Sequence, residues 1–222
     1  MSWFNLKLEP LARTSFRWEK LTECSFPITL VLLEGGVVGV IAAKIYQVSP
    51  ITLAIISAAP MFANLSSFAW NRVASGRPKV GLACLLQIGI LLCVLAVAIA
   101  PINELGAIVL VASMIVSRIL VAGLVTVRSV IWSLNYARSK RAQATGQLQM
   151  IASLVTVIIA SIVGPILDRH PDGMPWLYVM GVATGLIGIG LFRRVTVIGE
   201  SEHIRKESEA NNQRQQSVSF TT

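Results

Sequence analysis

The sequence predicts an all-α polytopic membrane protein with six transmembrane helices. Three observations carry this reading. Apolar residues make up 54% of the chain and charged residues only 14%, against about a quarter charged in a soluble domain. The mean hydropathy is +0.68. Six stretches, at 26–46, 50–70, 80–100, 105–127, 147–167 and 175–192, each approach the roughly 20 apolar residues that a helix needs to cross a bilayer.

The elements follow in order. Residues 1–25 place Trp3, Phe4, Phe16 and Trp18 among Lys7, Arg13, Arg17 and Lys20, a mixture suited to a segment lying at the headgroup interface; a disordered cytoplasmic tail is the alternative. They are not read as a signal peptide, because the apolar run starts late and Glu34 interrupts it. The first span contains "LVLLEGGVVGVIAAK", with Glu34 beside Gly35, Gly36 and Gly39. Pro60 in the second span and Pro165 in the fifth are expected to interrupt and kink their helices. Gly181, Gly185 and Gly188 give the sixth span a small-residue packing seam. The tail 195–222 is rich in Glu, Asn, Gln and Ser, and is expected to be a disordered cytoplasmic segment. The transmembrane domain is therefore 26–194.

The net charge of +8 does not point to nucleic acid, because the bases fall between apolar runs and form no interleaved stripe. With the N-terminus inside, 16 of the 19 Lys and Arg lie on the cytoplasmic side and two, Lys44 and Arg169, lie outside. That asymmetry places both termini in the cytoplasm. Cys24, Cys84 and Cys93 form no metal-binding pair, and His170 and His203 lie far from them. No metal site and no cofactor are expected.

One base remains. Arg118 sits inside the fourth span, in "MIVSRILVAG". A charge near the bilayer centre costs about 2.5–3.5 kcal/mol on insertion scales, so such residues face the protein interior and pair. Glu34 lies two residues to the cytoplasmic side of the middle of its span, and Arg118 three residues past the middle of an antiparallel one. At ~1.5 Å per residue both sit roughly 3–5 Å from the midplane. The two are at matching depth and form the candidate couple for substrate or protons. Their bland alternative is a static ion pair that fixes helix register.

The stretch "WNRVASGRPKVG" after the second span resembles the loop between the second and third helices of the major facilitator superfamily, whose pattern is roughly G-x-x-x-D-R-x-G-R-R. Asn71 stands where that pattern has aspartate. Arg72 matches the first arginine, Gly76 and Arg77 match the Gly-Arg pair after a two-residue insertion, and Lys79 supplies the final base. Arg118 with Gly123 resembles the family's fourth-helix arginine motif, and Gly164-Pro165 resembles the Gly-Pro of the fifth-helix motif of antiporters.

The resemblance implies the N-terminal six-helix half of a transporter, built as 3+3 inverted repeats, with its first and fourth helices lining a central cavity. It implies transport of a small solute, a conformational latch at Asn71, Arg72, Gly76 and Arg77, and residence in a bacterial-type inner or plasma membrane. The expected partners are the solute, the lipid bilayer, and a second six-helix half or a homodimer. The tail resembles the start of a linker, so a truncated or split product, a half-transporter and a non-transporting scaffold or regulatory protein are the alternatives. No serine–histidine, paired-aspartate or metal-ligand set lies within the spans, so an enzyme is not expected.

Overall fold

The structure is a computed structural model and describes residues 8–219. Trp3, Phe4 and Lys7, counted above with the interfacial segment, lie outside the described residues, as do residues 220–222 at the end of the tail. The described residues form helices joined by short turns: α1 (Pro10–Val31), α2 (Gly35–Val40, continued by a π-helical turn Ile41–Ile45), α3 (Pro50–Leu65), α4 (Ser67–Ala74), α5 (Lys79–Ile99), α6 (Glu104–Asn135), α7 (Arg138–Arg169), α8 (Met174–Phe192) and α9 (Glu200–Ser219). Five helical stretches are long and apolar enough to cross a membrane, and α3 with α4, bent by 42°, makes a sixth. All-helical spans are what a bilayer demands, since each backbone N–H must find its carbonyl within its own segment.

The packing repeats itself. Span one (α1 and α2) packs on α7, and α6 packs on span two (α3 and α4). α5 packs on α6, and α8 packs on α1, while α5 and α8 meet at the centre. Exchanging spans one, two and three for four, five and six leaves this pattern unchanged, as two three-helix repeats would.

The α1–α8 seam explains the sixth-span glycines. A Cβ on Gly181 would lie 2.3 Å from Leu32 Cδ1, and one on Gly185 would lie 2.6 Å from Thr29 Oγ1. With the backbones this close, hydroxyls on α1 reach carbonyls on α8: Ser25 donates to Thr184 and Thr29 to Gly181, both at 2.6 Å. Each such bond satisfies a polar group that has no water to turn to.

Four expectations are corrected. The boundary drawn at residue 25 does not exist, because α1 runs straight through it. Ala12, Ser15, Phe16, Glu19, Thr22, Glu23 and Phe26 are buried, a helical spacing that packs this segment against the rest of the bundle. Phe16 meets Tyr136 edge-on, with ring centroids 5.9 Å apart. The second span does not break at Pro60, which lies within α3; it breaks at Ser66. There α4 tilts so that Trp70 covers Gly123, where a Cβ would lie 2.7 Å from the indole, and donates to the Ile119 carbonyl at 2.9 Å. Pro165 is exposed and α7 continues through it unbroken.

The fourth correction concerns the tail, expected to be disordered and instead helical over α9. Glu200 and Glu207, two turns apart, fasten it to the turn between α4 and α5. Glu200 accepts from the Lys79 N–H at 2.6 Å, and Glu207 accepts from the Gly76 N–H at 2.8 Å and from Lys79 Nζ at 2.7 Å. Pairs one turn apart, such as Lys206 with Glu202 at 2.8 Å, add the few tenths of a kcal/mol typical of such contacts. Composition alone misjudged this segment because its partner is another part of the chain.

Burial works against the charge of Glu207. The hydrogen bonds from Lys79 and Gly76 and the charges of Lys79 and His203 outweigh it and hold this carboxyl below its ordinary value of 4.5. A carboxyl depressed in the folded state stabilises above its unfolded value and loses that contribution as pH falls through the folded one. Docking of α9 should therefore persist at neutral pH and weaken below pH 4.5. Spin labels on α9 and α5 check this: their separation should grow on acidification, and Glu207→Gln should show the larger separation already at neutral pH.

Candidate functional site

The site grows from a break in the first span. At the end of α1 the backbone bonds tighten: Leu32 donates to Thr29, Leu33 to Leu30 and Glu34 to Val31. Three-residue bonds of this kind close a helix. Glu34 is then extended, and Gly35 takes φ +60°, the left-handed region that glycine enters at no steric cost. The Leu32 carbonyl, freed by the break, accepts from the buried Tyr178 hydroxyl at 2.8 Å. The α1–α8 seam thus holds the break open, because it brings Tyr178 to the carbonyl that α1 no longer satisfies.

Arg118 on α6 donates to Glu34 in a direct ion pair. The Arg118 side chain is 10% exposed and that of Glu34 is 35% exposed. The pair is therefore reachable and not sealed. Two clefts flank Gly35 and Gly36. One, of about 350 Å³, lies against α7 and is lined by Glu34, Thr156, Ala160 and Gly164. The other, of about 360 Å³, lies between α2, α3 and α6 and is lined by Ser57, Pro60, Met114 and Arg118. Glu34 and Arg118 thus stand on opposite sides of the unwound segment, each open to its own cleft. Arg118 Nε is buried without a hydrogen-bond partner among the described residues, so the guanidinium retains donor capacity beyond Glu34. A larger apolar groove of about 570 Å³ between α3 and α6 carries no charged lining residue and suits an apolar neighbour, not a polar solute.

The sequence-level candidates separate into two groups. Glu34, Arg118, Pro60 and Gly164 come together around the clefts. Asn71, Arg72, Gly76 and Arg77 lie at the junction of α4 and α5, and Pro165 faces outward. Asn71 and Arg72 are still helical, within α4. Arg72 sits 5.0 Å over the Phe68 ring, and Arg77 is exposed. The residues tied down at that junction are Gly76 and Lys79. Gly76 takes φ +72° in the turn, and Lys79 is fully buried, with Nζ also donating to the Ala74 carbonyl at 2.7 Å.

A second charged cluster was not anticipated. Glu23 on α1 accepts directly from Arg128 on α6, and Glu19 accepts from Trp132 Nε1 at 2.5 Å and from the Tyr136 hydroxyl at 2.7 Å. Its signal was present: Glu23 precedes Glu34 by eleven residues, and Arg128 follows Arg118 by ten. On antiparallel helices those offsets, roughly 15–17 Å each, put the second pair at one level as surely as the first. At the other end of the bundle Lys44 pairs with Asp168, joining the end of span one to the end of α7.

The model of the Major Facilitator Superfamily matches residues 28–219. No curated protein and no solved structure matched the chain. With helices that fit five to six membrane spans and a family match over most of its length, this chain is an integral membrane protein that belongs to the major facilitator superfamily of transporters.

Proposed function

We propose that this chain moves a small solute across the membrane as one six-helix half of a secondary transporter, and that Glu34 and Arg118 are its substrate- or proton-responsive couple. The observation that carries the reading is the break in the first span with a reachable ion pair at its edge. Transporters of several folds bind solute where a spanning helix unwinds near the midplane, because the unwound backbone offers free polar groups there. A solute anion would compete with Glu34 for Arg118, and a proton or cation would compete with Arg118 for Glu34.

A second six-helix unit supplies the opposing wall. In support, α7 turns Leu154, Val157, Ile158 and Ile162 outward, and α3 turns out Met61 and Phe62. These flank the clefts that the couple faces. The junction of Asn71, Arg72, Gly76 and Arg77 works as a latch between α4 and α5. Its support is the clamp of Glu207 on Gly76 and Lys79, which α9 makes or releases as a unit.

Net uptake or efflux of radiolabelled sugars, amino acids and organic ions, measured in cells that express the chain alone or with a second six-helix unit, tests the function. Flux above background for one class, reduced at least about tenfold in Glu34→Gln, is the expected result. A stable complex with another membrane protein and no flux for any class would favour a scaffold.

Both termini face the cytoplasm in this reading, supported by the asymmetry of bases between the two ends of the bundle. Topology reporters fused after Thr222 and inserted near Asp172 should report inside and outside respectively. The reverse pattern would invert the proposed orientation.

A further inference from the structure

The cluster at the middle of α1 holds two carboxylates and one guanidinium. It lies apart from the Glu34–Arg118 pair. Glu19 is 0% exposed, and both its oxygens are engaged: Oε1 by the Tyr136 hydroxyl at 2.7 Å and Oε2 by Trp132 Nε1 at 2.5 Å. Glu23, one turn along the same face, takes the direct contact with Arg128, whose nearest nitrogen is 3.9 Å from Glu19 Oε2. Arg128 also lies 4.9 Å over the Trp132 ring and 5.9 Å from the Phe192 ring. The cation is thus fixed against Glu23.

Three other cations near this end have contacts of their own. Arg141 at the head of α7 donates to the Ser133 carbonyl at 2.8 Å and to the Tyr136 carbonyl at 3.4 Å. Arg194, past the end of α8, lies 4.7 Å over the Trp18 ring, and Lys20 lies 4.5 Å over Phe16. Among the described residues, Arg128 is the cation within ion-pairing reach of Glu19. With both carboxylates ionised, the cluster carries a net charge of −1 in a largely buried site, with Glu19 itself 0% exposed. One proton restores neutrality.

The hydrogen-bond partners decide where that proton sits. An indole N–H and a guanidinium only donate, whereas a phenol both donates and accepts. An acid proton on Glu19 Oε1 donates to the Tyr136 oxygen, while Trp132 continues to donate to Oε2. No hydrogen bond at Glu19 is lost in either protonation state. Glu23 has no such reversible partner, since its contact is with Arg128 alone.

We propose that Glu19 is a proton-binding site, carrying its proton on the oxygen that faces Tyr136, with Glu23 and Arg128 forming the neutral pair beside it. Proton release leaves an uncompensated carboxylate where the middle of α1 meets the end of α6. The cost of a buried unpaired charge then favours entry of water and parting of these two helices. Resting on the transport reading above, this makes the proton the coupling ion. The proton site itself requires no transport, so the two readings fail separately.

Infrared difference spectroscopy of the purified full-length chain, titrated from acid to alkaline pH, tests the site. A protonated-carboxyl band should be present at the acid end, fade as pH rises, be lost in Glu19→Gln and persist in Glu34→Gln. In Tyr136→Phe the band should move in frequency, because the acid proton loses its acceptor; this variant decides the assignment should Glu19→Gln fail to fold. No such band in the wild type, a band that survives Glu19→Gln, or a band unmoved in Tyr136→Phe would overturn the proposal.

Discussion

A charge inside a membrane bundle must be paired, neutralised or brought to water, and this constraint organises the molecule. Glu34 interrupts the first span, and the chain answers it in three linked ways. The helix stops, so that the carboxylate sits at a helix boundary and not in the middle of an apolar wall. Tyr178 takes the carbonyl that the stop releases. Arg118 crosses from α6 to meet the carboxylate. Remove the α1–α8 seam of Gly181, Gly185 and Thr29, and Tyr178 no longer reaches; the break then leaves a buried carbonyl unsatisfied, at about 1–3 kcal/mol. The small residues of the sixth span thus serve the charge in the first.

The same constraint recurs one level down. Glu23 with Arg128 repeats the carboxylate-on-span-one, arginine-on-span-four arrangement, so span one and α6 are linked at two heights. The two links differ in kind. The upper pair is partly open and flanked by clefts. The lower one is embedded among Trp132, Tyr136 and Phe192 and has a second carboxylate beside it. A buried ion pair adds little net stability against an apolar alternative, yet breaking one partner is costly. Two such links resist sliding of span one along α6 and make their contact sensitive to any ligand that neutralises one member.

Much of this was legible in the sequence. Span number and the Glu34–Arg118 contact follow from hydropathy and depth, because a 1.5 Å rise turns residue offsets into height. The break at Glu34 was visible only as Glu-Gly-Gly, a pattern that fits packing equally well. The proline positions misled, because a missing N–H weakens one hydrogen bond but does not say where the helix yields; Trp70 on Gly123 decided that at Ser66. The tail was misread because Glu200 and Glu207 find their donors on Lys79 and Gly76, more than a hundred residues away. The Glu19 cluster was missed because Glu19 and Glu23 fell in a segment assigned to the headgroups, and Arg128 was counted as a topology signal.

The claim at the centre is that Arg118 compensates Glu34 across the break. A double-mutant cycle on the thermal stability of the purified chain, using Glu34→Gln, Arg118→Gln and both together, measures it most directly. Each single change leaves one charge without its partner, so the double variant should be more stable than the sum of the single effects implies, with a coupling of about 1–3 kcal/mol. Strictly additive losses would mean that the two side chains do not sense each other, and would contradict the account.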